Sequence, residues 1–184
     1  MLTKTALLLG AAMAICPLPS LSQCVNTMTP TCGVYTSCFA DRCACDGSPF
    51  EYFKSYGAKY CTAFLELPGL SAKGAAWRNA TLKCLQEKIV PLLPKDGQSK
   101  SCNCQQMQLS AFDSHVACYT QPSASICELD VSDWQKILAA TDPVKTLQDQ
   151  KSRKQLLVVA RMCLVDPVAV QAKDVIQKVI DKLK

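Results

Sequence analysis

The sequence predicts an all-α protein, a disulfide-cross-linked helical bundle with a Cys-rich N-terminal lead. Three observations predict it. Apolar residues recur at three- and four-residue steps over most of the chain, whereas strand-like alternation is weak throughout. Ser and Asp caps and Pro- or Gly-containing breaks divide the chain into pieces of helical length. Thirteen of the 184 residues are cysteine, and they fall at widely separated positions.

Residues 1–22 read as a cleaved secretory signal. Lys4 gives a positive start, Ala6 to Cys16 is apolar, and Pro17 and Pro19 break the run. Ser20 and Ser22 are the small residues that precede a cut before Gln23. The run is too short to span a bilayer; the alternative is a buried N-terminal helix. The remainder, 23–184, is long enough for one domain. Cys16 leaves with the signal, so twelve of the thirteen cysteines remain, an even number suited to full pairing in an oxidising compartment. Without Lys4 the balance is 19 basic against 15 acidic residues, a net charge of +4. That is too mild, and its densest group (Lys151, Arg153, Lys154) too small, for a nucleic-acid surface. No further segment is apolar enough for a membrane span.

The lead, 23–47, holds Cys24, Cys32, Cys38, Cys43 and Cys45 with Pro30 and Gly33, so its helices should be short. Ser48-Pro49-Phe50-Glu51 has the form of a helix start with a capping box. Phe50, Phe53, Gly57, Tyr60, Phe64 and Leu67 then share a face up to the Pro68-Gly69 stop. A second helix runs from about Lys73 to Val90, with Trp77, Thr81, Cys84, Leu85 and Ile89 inward. A third covers about Cys104 to Tyr119, with Leu109, Phe112, Val116 and Tyr119 as its stripe. Ser132-Asp133-Trp134-Gln135 opens a fourth by another capping-box pattern, and Asp142-Pro143 interrupts it. A fifth spans about Leu147 to Cys163. After Asp166-Pro167 the last helix carries an apolar stripe of Ala172, Val175, Ile176, Val179 and Leu183, which serves either to pack on its own domain or as a non-covalent homodimer seam.

Few residues offer chemistry. Cys43-Ala-Cys45 and Cys102-Asn-Cys104 are C-x-C doublets, not the C-x₂-C knuckles usual for zinc, and His115 is the one histidine. These favour disulfides over a metal site, and no cofactor is expected. His115-Val116-Ala117-Cys118-Tyr119 faintly resembles the catalytic helix of secreted phospholipases A2. Val116 stands where the calcium-binding aspartate is needed, so His115 is expected on a helix surface. No nucleophile elbow, phosphate loop or dinucleotide fingerprint is present, and paired cysteines offer no thiolate. Asn79-Ala80-Thr81 is the one N-glycosylation sequon.

The cysteine order resembles that of the stanniocalcins. The likeness runs through Cys32-Gly33-Val34-Tyr35 with Cys38-Phe39, then Tyr60-Cys61-Thr62-Ala63-Phe64-Leu65. Next come Gly74-Ala75-Ala76-Trp77 with Thr81-Leu82-Lys83-Cys84, then Phe112, Cys118-Tyr119 and Cys127. Leu156-Leu157, Cys163 and Asp166 end it, so that it covers about 24–183. The resemblance implies the bridges Cys24–Cys38, Cys32–Cys61, Cys84–Cys118 and Cys127–Cys163, and one joining the 43/45 region to the 102/104 region. One extra cysteine in each of those regions suggests a second, parallel bridge. The family's interchain cysteine has no counterpart after Cys163, and its sequon lies in the lead rather than at Asn79.

The resemblance implies a secreted glycoprotein hormone that binds an extracellular protein or cell-surface receptor, acts in calcium or phosphate handling, and is not an enzyme. The alternative is a secreted Cys-rich helical carrier of lipid or sterol, which would need a greasy tunnel between its helices.

Overall fold

The computed structural model describes residues 24, 30–95, 101–121, 123–142, 145, 148–167 and 173–183. The predicted signal, 1–22, lies outside them. All regular structure among these residues is helical. Helix α1 is a π-helical stretch, Tyr35–Phe39, continuing as Ala40–Arg42, and α2 likewise runs from Phe53–Ala58 into Lys59–Leu65. Helices α3 (Ala72–Ile89), α4 (Cys104–Tyr119), α5 (Val131–Ala140), α6 (Gln150–Val165) and α7 (Lys173–Leu183) follow, with single 3₁₀ turns at Val90–Leu92 and Ile126–Glu128. None is long and apolar enough to cross a membrane.

The α3–α4 and α6–α7 pairs form the two largest helix contacts, and α4 against α6 joins them. Helix α2 packs on both α3 and α5. The core between them is aromatic: Trp77, Trp134, Tyr35, Phe39 and Phe53 are nearly inaccessible to solvent. Trp77 meets Phe64 and Tyr119 edge-on, and its indole N–H donates to the Tyr119 carbonyl at 3.0 Å, which satisfies the one polar atom it buries.

Two helix starts differ from expectation. Glu51, predicted as the far end of a capping box begun by Ser48, is itself the cap: its carboxylate accepts from the Lys54 and Ser55 amides, both at 2.8 Å. Ser48 instead accepts from the Phe50 amide in the turn before it. The start moves because the first turns of α2 pack on α1, where the Gly57 backbone lies against the Tyr35 ring. A Cβ on Gly57 would sit 2.6 Å from that ring. Helix α5 is capped by Asp130, whose Oδ1 accepts from the Asp133 amide at 2.8 Å, not by Ser132.

That shift frees Asp133 for another task. It is 1% exposed, and its carboxylate accepts from the Ser71 amide at 2.9 Å and from the Ser71 hydroxyl. Ser71 Oγ in turn accepts from the Gly74 amide and caps α3. The carboxylate thus clasps α5 to the start of α3, and it has room only because residue 74 lacks a side chain. An added Cβ would lie 2.6 Å from Asp133 Cγ.

Part of the stripe on α7 packs within the chain. Ile176 and Ile180 are buried, and Val175 and Val179 half-buried, on the helix that packs against α6. Ala172 and the Leu183 side chain lie outside the described residues.

The clasp gives a test by sign. At an open helix site, Gly→Ala stabilises by about 1 kcal/mol. Gly74→Ala is expected to destabilise instead, through the Asp133 clash. In an Asp133→Ala background the same change should become neutral or stabilising. Denaturant unfolding of the four proteins closes the cycle, and additive effects would show that Gly74 and Asp133 do not interact.

Candidate functional site

Six disulfides tie the bundle together: Cys24–Cys38, Cys32–Cys61, Cys43–Cys102, Cys45–Cys104, Cys84–Cys118 and Cys127–Cys163. Their Cα–Cα separations run from 4.8 to 5.6 Å, inside the range a bridge spans. Cys24–Cys38 and Cys32–Cys61 fold the lead back onto α1 and α2. Cys84–Cys118 staples α3 to α4, and Cys127–Cys163 staples the second 3₁₀ turn to α6. The two C-x-C doublets meet in parallel, 43 to 102 and 45 to 104, and fix the end of the lead against the start of α4.

The parallel pair is unequal in effect. The bridge Cys43–Cys102 closes a separation of 59 residues, which in the chain-entropy model is worth about 4 kcal/mol. With it in place, Cys45–Cys104 closes only the small ring through Ala44 and Asn103, worth about 2 kcal/mol. Cys45→Ser with Cys104→Ser should therefore cost about 2 kcal/mol and keep the fold, as read by chemical denaturation. Removing all four cysteines should cost roughly three times that, about 6 kcal/mol. Equal losses for the two variants would overturn the nested-loop account.

His115 does not lie on a surface; it is 3% exposed. The buried face of α4 is Met107, Ala111, Phe112, His115 and Cys118, rotated from the predicted stripe, whose Leu109, Val116 and Tyr119 are half-buried. The rotation follows from Cys118, which its bridge draws inward and which stands three residues from His115. The imidazole stacks between Tyr119 (5.6 Å, 5°) and Tyr56 (5.9 Å, 22°), with Phe112 edge-on at 5.3 Å.

Both ring nitrogens are engaged. Gln155 Nε2 donates to the Phe112 carbonyl, which turns its Oε1 toward His115 Nδ1 at 3.2 Å. Nδ1 therefore carries the proton, and Nε2 accepts from the Tyr52 hydroxyl at 3.2 Å. Burial pushes the imidazole down to about 4, and the Gln155 bond only partly opposes this. Burial likewise raises the Tyr56 phenol to about 12 and the Tyr52 phenol well above its ordinary value. At neutral pH the group is an uncharged link between α2, α4 and α6. It is not placed to serve as a base toward a solvent-borne substrate.

Beside it lies a cavity of about 60 Å³ bordered by Tyr56, Phe64, His115, Tyr119, Trp134 and Gln155. A second, of about 30 Å³, shares Tyr56, Phe64, His115 and Tyr119 with it. Each has room for a water or two, against the several hundred Å³ that a sterol-sized ligand occupies.

Asn79 lies half-buried on α3, its Oδ1 accepting from Arg78 Nε at 3.1 Å. Thr81 of the same sequon is 4% exposed, and its hydroxyl donates to the Cys118 carbonyl at 3.4 Å. A glycan on Asn79 would thus have to be attached before α3 and α4 dock.

Sequence reasoning missed the Tyr52–His115–Gln155 chain and the Asp133–Ser71 clasp. The first had a signal, the three-residue step from His115 to Cys118; the second was hidden because the capping-box reading gave Ser132 the cap and Asp133 no role.

Comparison with family models, with curated proteins and with solved structures finds no match to this chain.

The buried imidazole sets a pH dependence. Its pKa is near 6.5 unfolded and about 4 folded. Between those values the unfolded chain binds a proton that the folded one does not, so stability falls as pH drops from 7 to 4. The full loss is about 3 kcal/mol. His115→Gln should be less stable at pH 7 but lose the histidine's share of the decline between pH 7 and 4. An unchanged slope in that variant would assign the dependence to other groups.

Proposed function

We propose that this chain is a secreted stanniocalcin-like glycoprotein that acts by surface recognition of an extracellular protein or receptor and not by catalysis. What supports the reading is the bridge pattern. The four pairs implied by the resemblance, Cys24–Cys38, Cys32–Cys61, Cys84–Cys118 and Cys127–Cys163, are the pairs the fold makes. The doublets add the parallel link expected between the two remaining regions. The placement of His115, neutral, enclosed and bonded on both sides, favours an interior given to structure, which leaves recognition to the exterior. A role in calcium or phosphate handling is the physiological form that the resemblance suggests. The cavities beside His115 are themselves too small to hold a lipid.

Binding of labelled protein to intact epithelial cells tests the reading. Saturable binding displaced by unlabelled protein, together with a change in calcium or phosphate uptake, is the expected result. Stoichiometric displacement of a fluorescent lipid, with no saturable cell binding, would favour the carrier instead. The homodimer through α7 is tested in parallel by light scattering of the wild type and of Val175→Lys/Val179→Lys. Twice the chain mass, halved in a folded variant, supports the seam. A single-chain mass for the wild type assigns the stripe to intrachain packing. Asn79→Gln should run faster on a gel by one glycan after eukaryotic secretion; equal mobility would show the sequon unused.

A further inference from the structure

The two doublets place four sulfurs together at one point. Cys43 lies in extended backbone (φ −130°, ψ 91°), and so does Asn103 (φ −80°, ψ 94°). Extended backbone sends alternate side chains to the same side. Cys43 and Cys45 therefore converge while Ala44 stays exposed, and Cys102 and Cys104 converge while Asn103 stays exposed. As a result Cys45 Sγ, bonded to Cys104, also lies 3.5 Å from Cys43 Sγ and 3.7 Å from Cys102 Sγ. The sulfurs of Cys43, Cys45 and Cys102 all fall within 4.8 Å of one another.

These spacings are those of a metal tetrathiolate. Four thiolates at about 2.3 Å from a tetrahedral zinc ion stand about 3.8 Å from each other. Two of the non-bonded spacings, Cys45 to Cys43 and Cys45 to Cys102, lie just under that value, and reduction would let the two bonded pairs open toward it. We propose that Cys43, Cys45, Cys102 and Cys104 form a zinc site that is latent in the double bridge and opened by reduction.

The chemistry balances with a thiol or dithiol reductant. Each bridge takes two electrons and two protons, and the reductant leaves as its own disulfide. The four resulting thiols then give up four protons as one Zn²⁺ binds, with no further electron transfer. Cys102 and Cys104 are half-buried while Cys43 and Cys45 are buried, so the reductant meets the α4 side first. Cys104 is the first residue of α4, where the helix N-terminus favours the thiolate. The C-x-C spacing, unlike that of a zinc knuckle, is no obstacle once two extended segments supply two ligands each. The second bridge, the smaller contributor to stability, is the one whose presence completes the ligand set.

The test uses the full secreted chain, reduced anaerobically with a phosphine, freed of reductant and titrated with zinc. Native mass spectrometry should show one zinc per chain. Alkylation should find Cys43, Cys45, Cys102 and Cys104 protected by zinc, with helical circular dichroism retained. Cobalt should give the visible bands of a tetrahedral tetrathiolate. The Cys45→Ser/Cys104→Ser variant keeps the Cys43–Cys102 bridge when oxidised, which provides a folded control. After the same reduction it should bind zinc at least 100-fold more weakly. The proposal is overturned if the reduced wild type takes up no zinc or unfolds in its presence. It is equally overturned if the variant binds zinc as tightly as the wild type, or if the protected cysteines map to the other four bridges.

Discussion

The bridge Cys84–Cys118 is the constraint from which much of the interior follows. It pins α3 to α4 and turns the Cys118 face of α4 inward. One turn earlier on that face stands His115, which must then be buried whatever its intrinsic preference. A buried imidazole needs partners for both nitrogens, and they come from two other helices, Tyr52 beside α2 and Gln155 on α6. A covalent link between two helices thus dictates which polar contacts the next two must make. The other bridges act in the same sense, removing freedom from the unfolded chain and deciding which helix faces look inward.

Polar ties repeat the pattern of the sulfur ones. Gln86, inaccessible on α3, donates to the Thr31 carbonyl of the lead at 3.0 Å. Asp133 on α5 holds the start of α3, and His115 on α4 holds α2 and α6. Each of these three side chains reaches from one element to another. Such a group is costly to leave unpaired, so each tie disfavours alternative packings more strongly than an apolar contact of the same size. Together with the bridges, these ties account for a core in which the polar groups at the helix junctions specify the arrangement and the aromatic rings fill it.

Much of the fold was legible in the sequence, and the exceptions share a cause. Helices α3 and α4 lie within a residue of their predicted bounds because both have a clean cap, Ser71 or Asn103, and long periodic runs. The inward face of α3, with Trp77, Thr81, Leu85 and Ile89, follows directly from its spacing. What failed was fixed by partners distant in sequence. The start of α2 depends on Gly57 meeting Tyr35, and the register of α4 on the bridge from Cys118 to Cys84. The first is not visible in a window of local sequence, and the second shows there only as the three-residue step from His115 to Cys118. The cysteines were legible as to their number and family-like order, whereas the closeness of the four sulfurs at 43, 45, 102 and 104 needed coordinates.

That closeness separates two purposes a disulfide can serve. A bridge kept for stability gains most when it closes a long loop on its own, as Cys84–Cys118 and Cys127–Cys163 do across 34 and 36 residues. A second bridge laid beside an existing one gains little by that route, because the first has already removed most of the same freedom. What it adds is local: it brings two more sulfurs to one point and holds two extended segments in register. The doublets thus fix four sulfurs and two chain segments at one point, beyond the modest stability of the second bridge. The four sulfurs lie at the junction of the lead with α4, at the opposite end of that helix from Cys118.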